Sequence, residues 1–471
     1  MNSRWWSILL MGVVAMLASC TNSPGSHEAE EKMLRQERQI ETLNTEEKMQ
    51  LSAVFTGSIH EEIDSLMRVY EKRFRFNGSV FVAYNRILAY HKTFGYADFE
   101  EKELLTKSEP FQLASVSKQF TAVAIIMLIE EGKLAYTDTV SNHIKDFPYP
   151  RVTVEQLLHH TAGMPNYMWL LEHKWKQGRE AYNDDIIRLM KKHGTNLYFR
   201  PGTRYDYSNT GYAVLAYLVE VVSGKSFPDF MEDRVFKPLG MKNTFVYSRA
   251  LNRQYPEKLK GYYRRWRRYN VIKETVHDGV VGDKGVYSTA ADLFKWDQAL
   301  YDDRLISDSS RKRAFTPVKV RSRWEYPYGY GFRLKKLDGK RVVYHTGLWE
   351  GFRTNLMRYI EDKNTIIVLN HTNANVNSVM INRIENILKN GPQASPTFEV
   401  VNRALESGLD EGMRLYLKYK NQGKSIDRKK ILTAAELLSV FSKPVASSVL
   451  LEMYEQITSD MSVQEKIFDE I

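Results

Sequence analysis

The chain has 471 residues, of which 43% are hydrophobic and 12% aromatic; this composition excludes a disordered chain and allows one large domain with an appendage, or two or three domains. A formal charge of +10 favours anionic partners or surfaces without identifying them. The single cysteine excludes an internal disulfide framework.

The first 20 residues have the pattern of a secretory signal. One positive charge, Arg4, precedes an apolar run that ends in small residues and is too short for a comfortable membrane span. The run closes on Leu17-Ala-Ser-Cys20, which resembles the lipobox of bacterial lipoproteins, where the cysteine is lipidated and becomes the mature N-terminus. We therefore predict a lipoprotein signal at residues 1–20 with lipidation at Cys20. The alternative is an ordinary signal in which Cys20 has no such role.

The next segments predict a tether followed by the main domain. Residues 21–54 are polar and charged, as in a flexible tether that would hold a domain away from a membrane. Residues 78–84 and 87–94 are two strand-like runs, and Asn85-Arg86 between them predicts a hairpin turn. Helical patterns dominate between about residues 154 and 245, and strand patterns return at 328–334, 341–345, 353–359 and 365–370. A helix is predicted at about 376–389.

This order of elements predicts an α+β fold. Early and late strands with helices between them indicate one mainly antiparallel sheet flanked by helices, with a largely helical region inserted. We place the main domain at residues 55–390. A Gly- and Pro-containing break at 391–396 is typical of a domain boundary, and residues 391–471 are predicted to form an extension of three or four short amphipathic helices.

Ser115 and Lys118 lie three residues apart at the start of a buried helix that ends near Gly132. This spacing puts both side chains on one helix face, where a partly desolvated lysine could activate the serine hydroxyl. The same spacing occurs at Ser309 and Lys312, in a polar run without an apolar helix behind it, which we interpret as a solvated loop. Only the surrounding sequence separates the two pairs.

Three more segments accompany Ser115. They are Tyr207-Ser-Asn209, which leads into a helix; the Gly282–Thr289 segment, which opens another; and His345-Thr-Gly347, which follows a strand. In this order they resemble the serine β-lactamase and penicillin-binding protein superfamily, most closely the branch of class C β-lactamases, D-Ala-D-Ala carboxypeptidases and related esterases. The resemblance covers roughly residues 75–390 and implies a β-lactamase/transpeptidase-like fold.

The resemblance also implies residue roles. Ser115 would be the acylated nucleophile, and Lys118 would lower the barrier to its deprotonation. Tyr207 would be the general base or proton shuttle, although a phenol has an unperturbed pKa of about 10 and needs a neighbouring cation. Asn209 would hold Lys118 and the substrate amide. The backbone N–H groups of Ser115 and Leu348 would form the oxyanion hole.

The motif His345-Thr346-Gly347 departs from the Lys-Thr-Gly of many relatives. It would edge the cleft, with Thr346 contacting a substrate carboxylate. A neutral histidine offers only a hydrogen bond where lysine offers a permanent charge, so efficient β-lactam hydrolysis is less assured. Arg353 could supply the missing charge, or it could pair on the strand surface.

Residues 262–269 carry four arginines among aromatic residues. We predict a solvated loop there, and as a minority hypothesis a basic lip beside the cleft that attracts anionic cell-wall substrate or lipid headgroups. Nucleic acid is not an expected partner of an exported protein. His159 and His160 are adjacent and not spaced as metal ligands on one helix face, so the sequence implies no metal and no cofactor.

The resulting hypothesis is an exported serine hydrolase, lipid-anchored in the bacterial cell envelope. It would act through an acyl-enzyme on an amide or ester, such as a D-amino-acid peptide, possibly derived from peptidoglycan, a small ester or a β-lactam. The alternative is a catalytically silent envelope-binding lipoprotein that retains the fold. A Ser/His/Asp triad is a third possibility, for which the sequence singles out no histidine.

Overall fold

The computed structural model describes residues 43, 47, 51, 54–55, 57–247, 258–266, 268–321, 323–390, 396–440 and 443–468. The predicted signal with Cys20, most of the predicted tether and residues 391–395 lie outside this part. The chain divides into two units: one comprises residues 48–395, and the other comprises residues 1–47 with 396–471.

Antiparallel strands dominate the unit formed by residues 48–395. In chain order they are β1 Gly78–Tyr84, β2 Ile87–Phe94, β3 Tyr96–Asp98, β4 Glu103–Leu104, β5 Phe111–Gln112, β6 Phe245–Val246, β7 Tyr262–Arg265, β8 Arg268–Val271, β9 Val286–Ser288, β10 Val318–Val320, β11 Trp324–Tyr326, β12 Arg333–Leu337, β13 Lys340–Trp349, β14 Phe352–Tyr359 and β15 Asn364–Asn370. The main sheet has the order β12-β13-β14-β15-β1-β2, and all its neighbours are antiparallel. This arrangement confirms the predicted fold class.

The helices of the same unit are α1 Gly57–Phe74, α2 Ser117–Glu130, α3 Val154–Leu158, α4 Tyr167–Lys174, α5 Asn183–His193, α6 Asn209–Ser223, α7 Phe227–Met231, α8 Ala290–Ala299, α9 Asp308–Ala314 and α10 Asn377–Asn390. Short 3₁₀ turns cover Ala114–Val116 and Val140–Asn142, and a π turn covers Glu232–Phe236. The helices α3 to α7 form the predicted helical insertion between early and late strands.

The sheet is buried on both faces. Along β1, Val80 and Val82 pack with apolar residues of α1 and α10, whereas Phe81 and Ala83 pack with those of α2 and α8. Successive side chains of a strand point to opposite faces, so a strand covered on both sides reads as a continuous apolar run. Helix α2 is buried along nearly its whole length, from Ser117 to Leu128, which fixes the position of the residues just before it.

Residues 396–471 belong to the other unit, in which four helices are described. These are α11 Pro396–Ser407, α12 Leu409–Asn421, α13 Arg428–Val440 and α14 Pro444–Phe468. The predicted helical character is confirmed, although α14 is 25 residues long and not short. None of the described helices is both long and apolar enough to cross a membrane.

Two local predictions are wrong. Residues 262–269 form the β7–β8 hairpin instead of a solvated loop, because Tyr262 is buried at its base and the strands pair in register. Ser309 and Lys312 lie in α9 and not in a loop, since the Ser307 hydroxyl accepts a hydrogen bond from the Ser310 N–H and Lys312 pairs with Asp308 at 2.6 Å. Capping and charge pairs, which need no apolar face, account for this short surface helix.

Candidate active site

Ser115 lies in the 3₁₀ turn Ala114–Val116, which immediately precedes helix α2. The Gln112 side chain supports this turn, since its Oε1 accepts a 2.8 Å hydrogen bond from the Ala114 N–H. The Val116 N–H donates to the Leu113 carbonyl at 3.1 Å. Ala114 has a φ of +50°, a conformation that a non-glycine residue rarely adopts. The strained turn presents the Ser115 hydroxyl at the end of the buried helix.

Gly347 allows strand β13 to lie directly against this turn. A Cβ at this position would stand 2.2 Å from the Leu113 carbonyl oxygen and 2.2 Å from the Thr354 hydroxyl, which is closer than any real contact. The Thr354 hydroxyl donates a 2.6 Å hydrogen bond to the same Leu113 carbonyl, so β14 also holds the turn. Only glycine fits at this position of the predicted motif, because any side chain would push the backbone of β13 away from the turn that carries Ser115.

Lys118 is fully buried and its amine reaches three oxygen atoms. Its Nζ lies 3.0 Å from Ser115 Oγ, 2.8 Å from Asn209 Oδ1 and 2.8 Å from the Asp283 carbonyl oxygen. Burial lowers the pKa of Lys118 to about 7; nearby Asp283 opposes this shift and the Arg333 cation adds to it. The structure thus brings together Ser115, Lys118 and Asn209, which are far apart in the sequence.

The two carbonyl-type partners determine what a neutral Lys118 can do. An uncharged amine has two N–H donors and one lone pair, and the Asn209 and Asp283 oxygens can only accept. When both N–H groups are directed to these oxygens, the lone pair remains for the Ser115 hydroxyl. The geometry therefore suits Lys118 as a proton acceptor from Ser115.

Tyr207 lines the same site but lacks a well-formed hydrogen bond. Within the described part of the chain its buried hydroxyl has no hydrogen-bond partner of good geometry. Ser115 and Arg333 nevertheless lie close enough to influence the pKa of this hydroxyl. Burial raises the pKa of Tyr207 above its usual range, while Ser115 and Arg333 oppose the shift. The phenol consequently stays protonated at neutral pH, where it can donate a proton more readily than accept one.

His160 supports the segment that carries Tyr207. Its ring centre is 4.4 Å from that of Tyr207, and its Nδ1 accepts a hydrogen bond from the Ser208 N–H at 3.1 Å. The His160 carbonyl accepts another from the Asp206 N–H at 2.9 Å. Burial and the Lys118 charge hold the pKa of His160 well below its usual value, so the ring is neutral. From the sequence, this histidine was considered only as a metal ligand and was assigned no position in the site.

His345 is buried in β13 and both its ring nitrogens are occupied. Its Nδ1 is 2.8 Å from the Thr346 carbonyl oxygen, which can only accept, so the proton resides on Nδ1. Its Nε2 then accepts from the Tyr328 hydroxyl at 3.1 Å. Burial and Lys118 lower the pKa of His345 well below its usual value. The imidazole is neutral and held by Tyr328, whereas Thr346 and Leu348 beyond it are exposed, with Leu348 at 62%.

The positive charge near Tyr207 comes from Arg333, which the sequence did not single out. Its guanidinium lies 5.1 Å from the centre of the Tyr207 ring, and its Nε is buried without a hydrogen-bond partner among the described residues. Arg353, the candidate considered from the sequence, bonds instead to the Asn375 side chain at 3.2 Å. Its neighbour Thr354 faces Ser115, so strand alternation turns Arg353 to the other face of the sheet.

A buried network fixes the carbonyl that holds Lys118. The Tyr167 hydroxyl donates to Asp283 Oδ2 at 3.0 Å and accepts from Lys284 Nζ at 2.8 Å. The Gly282 carbonyl accepts from the Thr121 hydroxyl of α2 at 2.8 Å. The Gly282–Thr289 segment therefore lies beside Lys118, and it contacts the Lys118 amine through a main-chain carbonyl. Among the described residues, no three His, Cys, Asp or Glu side chains are arranged to hold a metal ion.

A serine hydroxyl beside a buried lysine, facing the edge of an antiparallel sheet, defines a serine hydrolase of the β-lactamase and penicillin-binding protein type. The chain belongs to the Beta-lactamase family, whose family model matches residues 63–388.

Several known proteins are similar to this chain. A penicillin-binding protein from Bacillus subtilis (strain 168) is 38% identical over 326 residues, which cover 66% of this chain and 71% of that protein. A D-aminopeptidase from Gluconobacter oxydans (strain 621H) is 25% identical over 59% of this chain and 53% of its own length. The crystal structure of a penicillin-binding protein from Bacillus halodurans superposes with a TM-score of 0.60 at 25% identity, covering 68% of this chain and 98% of that one.

Proposed function

We propose that the protein is an exported serine hydrolase that cleaves amides or esters of D-amino acids through an acyl-enzyme on Ser115. The observation that carries this proposal is the 3.0 Å contact between Ser115 Oγ and the amine of Lys118. Burial lowers the pKa of this lysine to about 7, so that much of it is uncharged at neutral pH. The similarity to a D-aminopeptidase and to penicillin-binding proteins supports amide and peptide substrates.

The geometry supports the following sequence of steps. Ser115 Oγ bonds to the substrate carbonyl carbon while its proton moves to Lys118 Nζ, and the carbonyl oxygen takes the negative charge. The backbone N–H groups of Ser115 and Leu348 would stabilise that oxygen. Tyr207 then gives its proton to the leaving nitrogen or oxygen and is reprotonated from Lys118. Water then attacks the carbonyl carbon of the resulting ester while its proton moves to Lys118 Nζ. The bond between that carbon and Ser115 Oγ breaks, the acid is released, and Lys118 returns the proton to Oγ, directly or through Tyr207.

Arg333 is the group best placed to recognise a substrate carboxylate. The neutral ring of His345 cannot supply a charge, whereas Arg333 is half-buried beside Tyr207 with an unsatisfied Nε. Thr346, which is exposed, lies on the same strand, β13, as His345, and its hydroxyl would add a hydrogen bond. A free carboxylate on the leaving group is the mark of a carboxypeptidase substrate.

Arg333→Gln is therefore expected to discriminate between substrates. KM for a peptide ending in a free D-amino-acid carboxylate should rise about tenfold to a hundredfold, because a charge-assisted hydrogen bond is lost. KM for the matching C-terminal amide should change little. Steady-state kinetics on the two peptides measures the difference, and Arg353→Gln serves as the matched control on the opposite face. An equal loss on both peptides would contradict the assignment.

The acylation rate should depend on pH through Lys118. Its pKa of about 7 means that the amine is protonated, and unable to accept a proton, at lower pH. We expect the rate to be constant above pH 7 and to fall about tenfold for each pH unit below it. Single-turnover acylation by an uncharged ester between about pH 5 and 9 tests this, and a flat profile across the range would contradict it.

A covalent adduct separates this function from a catalytically silent envelope protein. Incubation with a fluorescent penicillin or a fluorophosphonate should add one label at Ser115, detected by intact mass and peptide mapping. Ser115→Ala should remain unlabelled, whereas Ser309→Ala, which removes the serine of the second Ser-x-x-Lys pair, should label as wild type. Absence of any adduct on the wild-type protein would favour the silent binding protein.

We also propose that Cys20 is lipidated and anchors the protein in the bacterial cell envelope. The support is the signal pattern of residues 1–20, with its apolar run ending at Leu17-Ala-Ser-Cys20. When cells are fractionated, the wild-type protein should be found in the membrane pellet and the Cys20→Ala variant in the soluble fraction. Unchanged association with the pellet counts against the anchor.

A further inference from the structure

We propose that the β7–β8 hairpin, residues Tyr262–Val271, is a docking element that binds the anionic headgroups of a phospholipid membrane. It projects an exposed tryptophan and several arginines, and no step of the hydrolase mechanism uses it. The inference concerns a surface outside the Ser115 site and does not depend on the activity of that site.

The hairpin exposes two large aromatic side chains among its arginines. The Trp266 side chain is 86% exposed and that of Tyr263 is 50% exposed. Large aromatic side chains normally bury most of their surface, so an indole held out in solvent indicates a binding surface. Trp266 also has a φ of +58°, the left-handed conformation that tight hairpin turns use.

The arginines of the hairpin are available for a ligand. Arg265 and Arg268 form a pair across the two strands and are both exposed. Neither makes an ion pair with any carboxylate in the described part of the chain. Arg264 extends over the ring of Tyr269 at 5.8 Å. Two guanidinium groups without counter-ions, held side by side next to an indole, make a surface complementary to negative charge.

The base of the hairpin is fixed to the fold. The Tyr262 N–H donates to the His371 carbonyl at 2.8 Å, and the Arg264 N–H donates to the Asn373 side chain at 2.9 Å. The Tyr269 ring stacks on Phe99 with centres 3.7 Å apart and planes 9° apart. A rigid hairpin loses little conformational entropy on binding, so its exposed groups can dock as they stand.

A lipid surface fits this set of residues better than a soluble polyanion does. Tryptophan and tyrosine favour the headgroup level of a bilayer, where the ring can be partly apolar and partly hydrated. Arginine binds phosphate in a bidentate manner, and each basic residue near an anionic bilayer contributes about 1 kcal/mol. A polyanion would use the arginines alone and leave Trp266 in water.

The hairpin adjoins the end of strand β13. A Cβ on Gly261 would stand 1.8 Å from the Glu350 carbonyl oxygen, so the hairpin begins directly against the turn that follows β13. Docking would therefore bring the end of the cleft-edge strand close to the headgroups. This position distinguishes the proposal from simple tethering, which leaves the domain's orientation free.

A fluorescent label on the hairpin tests the proposal in the full-length chain. Tyr263→Cys is made in the Cys20→Ala background, so that one bimane label attaches beside Trp266 and any membrane binding by residues 1–20 is common to every variant. We expect lipid-borne nitroxide to quench the label on phosphatidylcholine vesicles with about 30% phosphatidylglycerol, and little quenching on pure phosphatidylcholine. In the double variant Arg265→Gln/Arg268→Gln, the lipid concentration needed for half-maximal quenching should rise about thirtyfold.

The β10–β11 hairpin supplies a matched control. It carries exposed Arg321, Arg323 and Trp324, and Arg321→Gln/Arg323→Gln removes the same charge from a different surface. This variant should bind the anionic vesicles as the labelled parent does. The proposal is overturned by absence of quenching on anionic vesicles, by equal quenching on neutral vesicles, or by equal loss in both double variants. Binding of a purified anionic wall polymer without quenching by vesicles would overturn it in favour of that polymer.

Discussion

Lys118→Met is expected to lower the rate of Ser115 acylation by about 10³- to 10⁴-fold, at the upper end of what a general base contributes. Methionine fills a similar buried volume, so the change removes the amine and retains most of the packing. The loss follows from the 3.0 Å contact with Ser115 Oγ and from the two carbonyl-type oxygens that orient the amine. Single-turnover labelling by a fluorescent penicillin, followed by intact mass, measures the rate.

The chain contains its own control for this experiment. Lys312 stands three residues after Ser309, as Lys118 does after Ser115, but its side chain is 75% exposed on α9. Lys312→Met should leave the acylation rate unchanged. A Lys118→Met variant that reacts within about threefold of wild type would mean that another group accepts the proton.

Arg358→Met is expected to lower the free energy of unfolding by about 3–5 kcal/mol, the largest stability effect predicted here. Arg358 and Asp297 are both fully buried and their atoms Nε and Oδ1 lie 2.5 Å apart. The Thr365 hydroxyl also donates to Asp297 Oδ2 at 2.7 Å. Removing the guanidinium leaves a buried carboxylate without a counter-ion, whose remaining side-chain donors, the Thr365 hydroxyl and the Gln298 amide, are both neutral. An uncompensated buried charge costs far more than the pair itself contributes. Equilibrium unfolding in urea gives the value.

Two further variants identify the cause of that loss. Arg358→Met/Asp297→Asn should recover part of the stability, because no uncompensated charge is left in the core. Arg341→Met breaks an exposed pair with Glu361 at 2.8 Å and should not change the urea midpoint measurably. If the double variant were less stable than the single one, packing and not charge would explain the effect.

Local patterns predicted the β1–β2 hairpin at one edge of the main sheet well. The strands β1 and β2 have the bounds of the two strand-like runs predicted from the sequence, and Asn85 and Arg86 between them have φ values of +48° and +67°. Both signals depend on neighbouring residues alone. The contact of Lys118 with Asn209 was also foreseen, although only through resemblance, because their spacing of 91 residues carries no geometric information.

The remaining features of the site depend on contacts between distant segments. Arg333 starts a strand rich in charged residues, and only the fold shows that its guanidinium lies over Tyr207. Asp283 takes part through its carbonyl oxygen, an atom that every residue has. The neutral state of His345 follows from burial and from Tyr328, which lies in a separate segment. Periodicity cannot reveal any of these three.

The pairing of β1 with β15 also determines when the domain can fold during synthesis. Gly78 pairs with Asn370, so these two neighbouring interior strands are about 290 residues apart in the chain. At about 5–20 residues per second, a ribosome needs roughly 15–60 s to deliver the second strand after the first. During that interval β1, apolar on both faces, has no partner for one of its edges. The nascent chain therefore stays incompletely folded long enough for chaperones to engage it before the sheet closes.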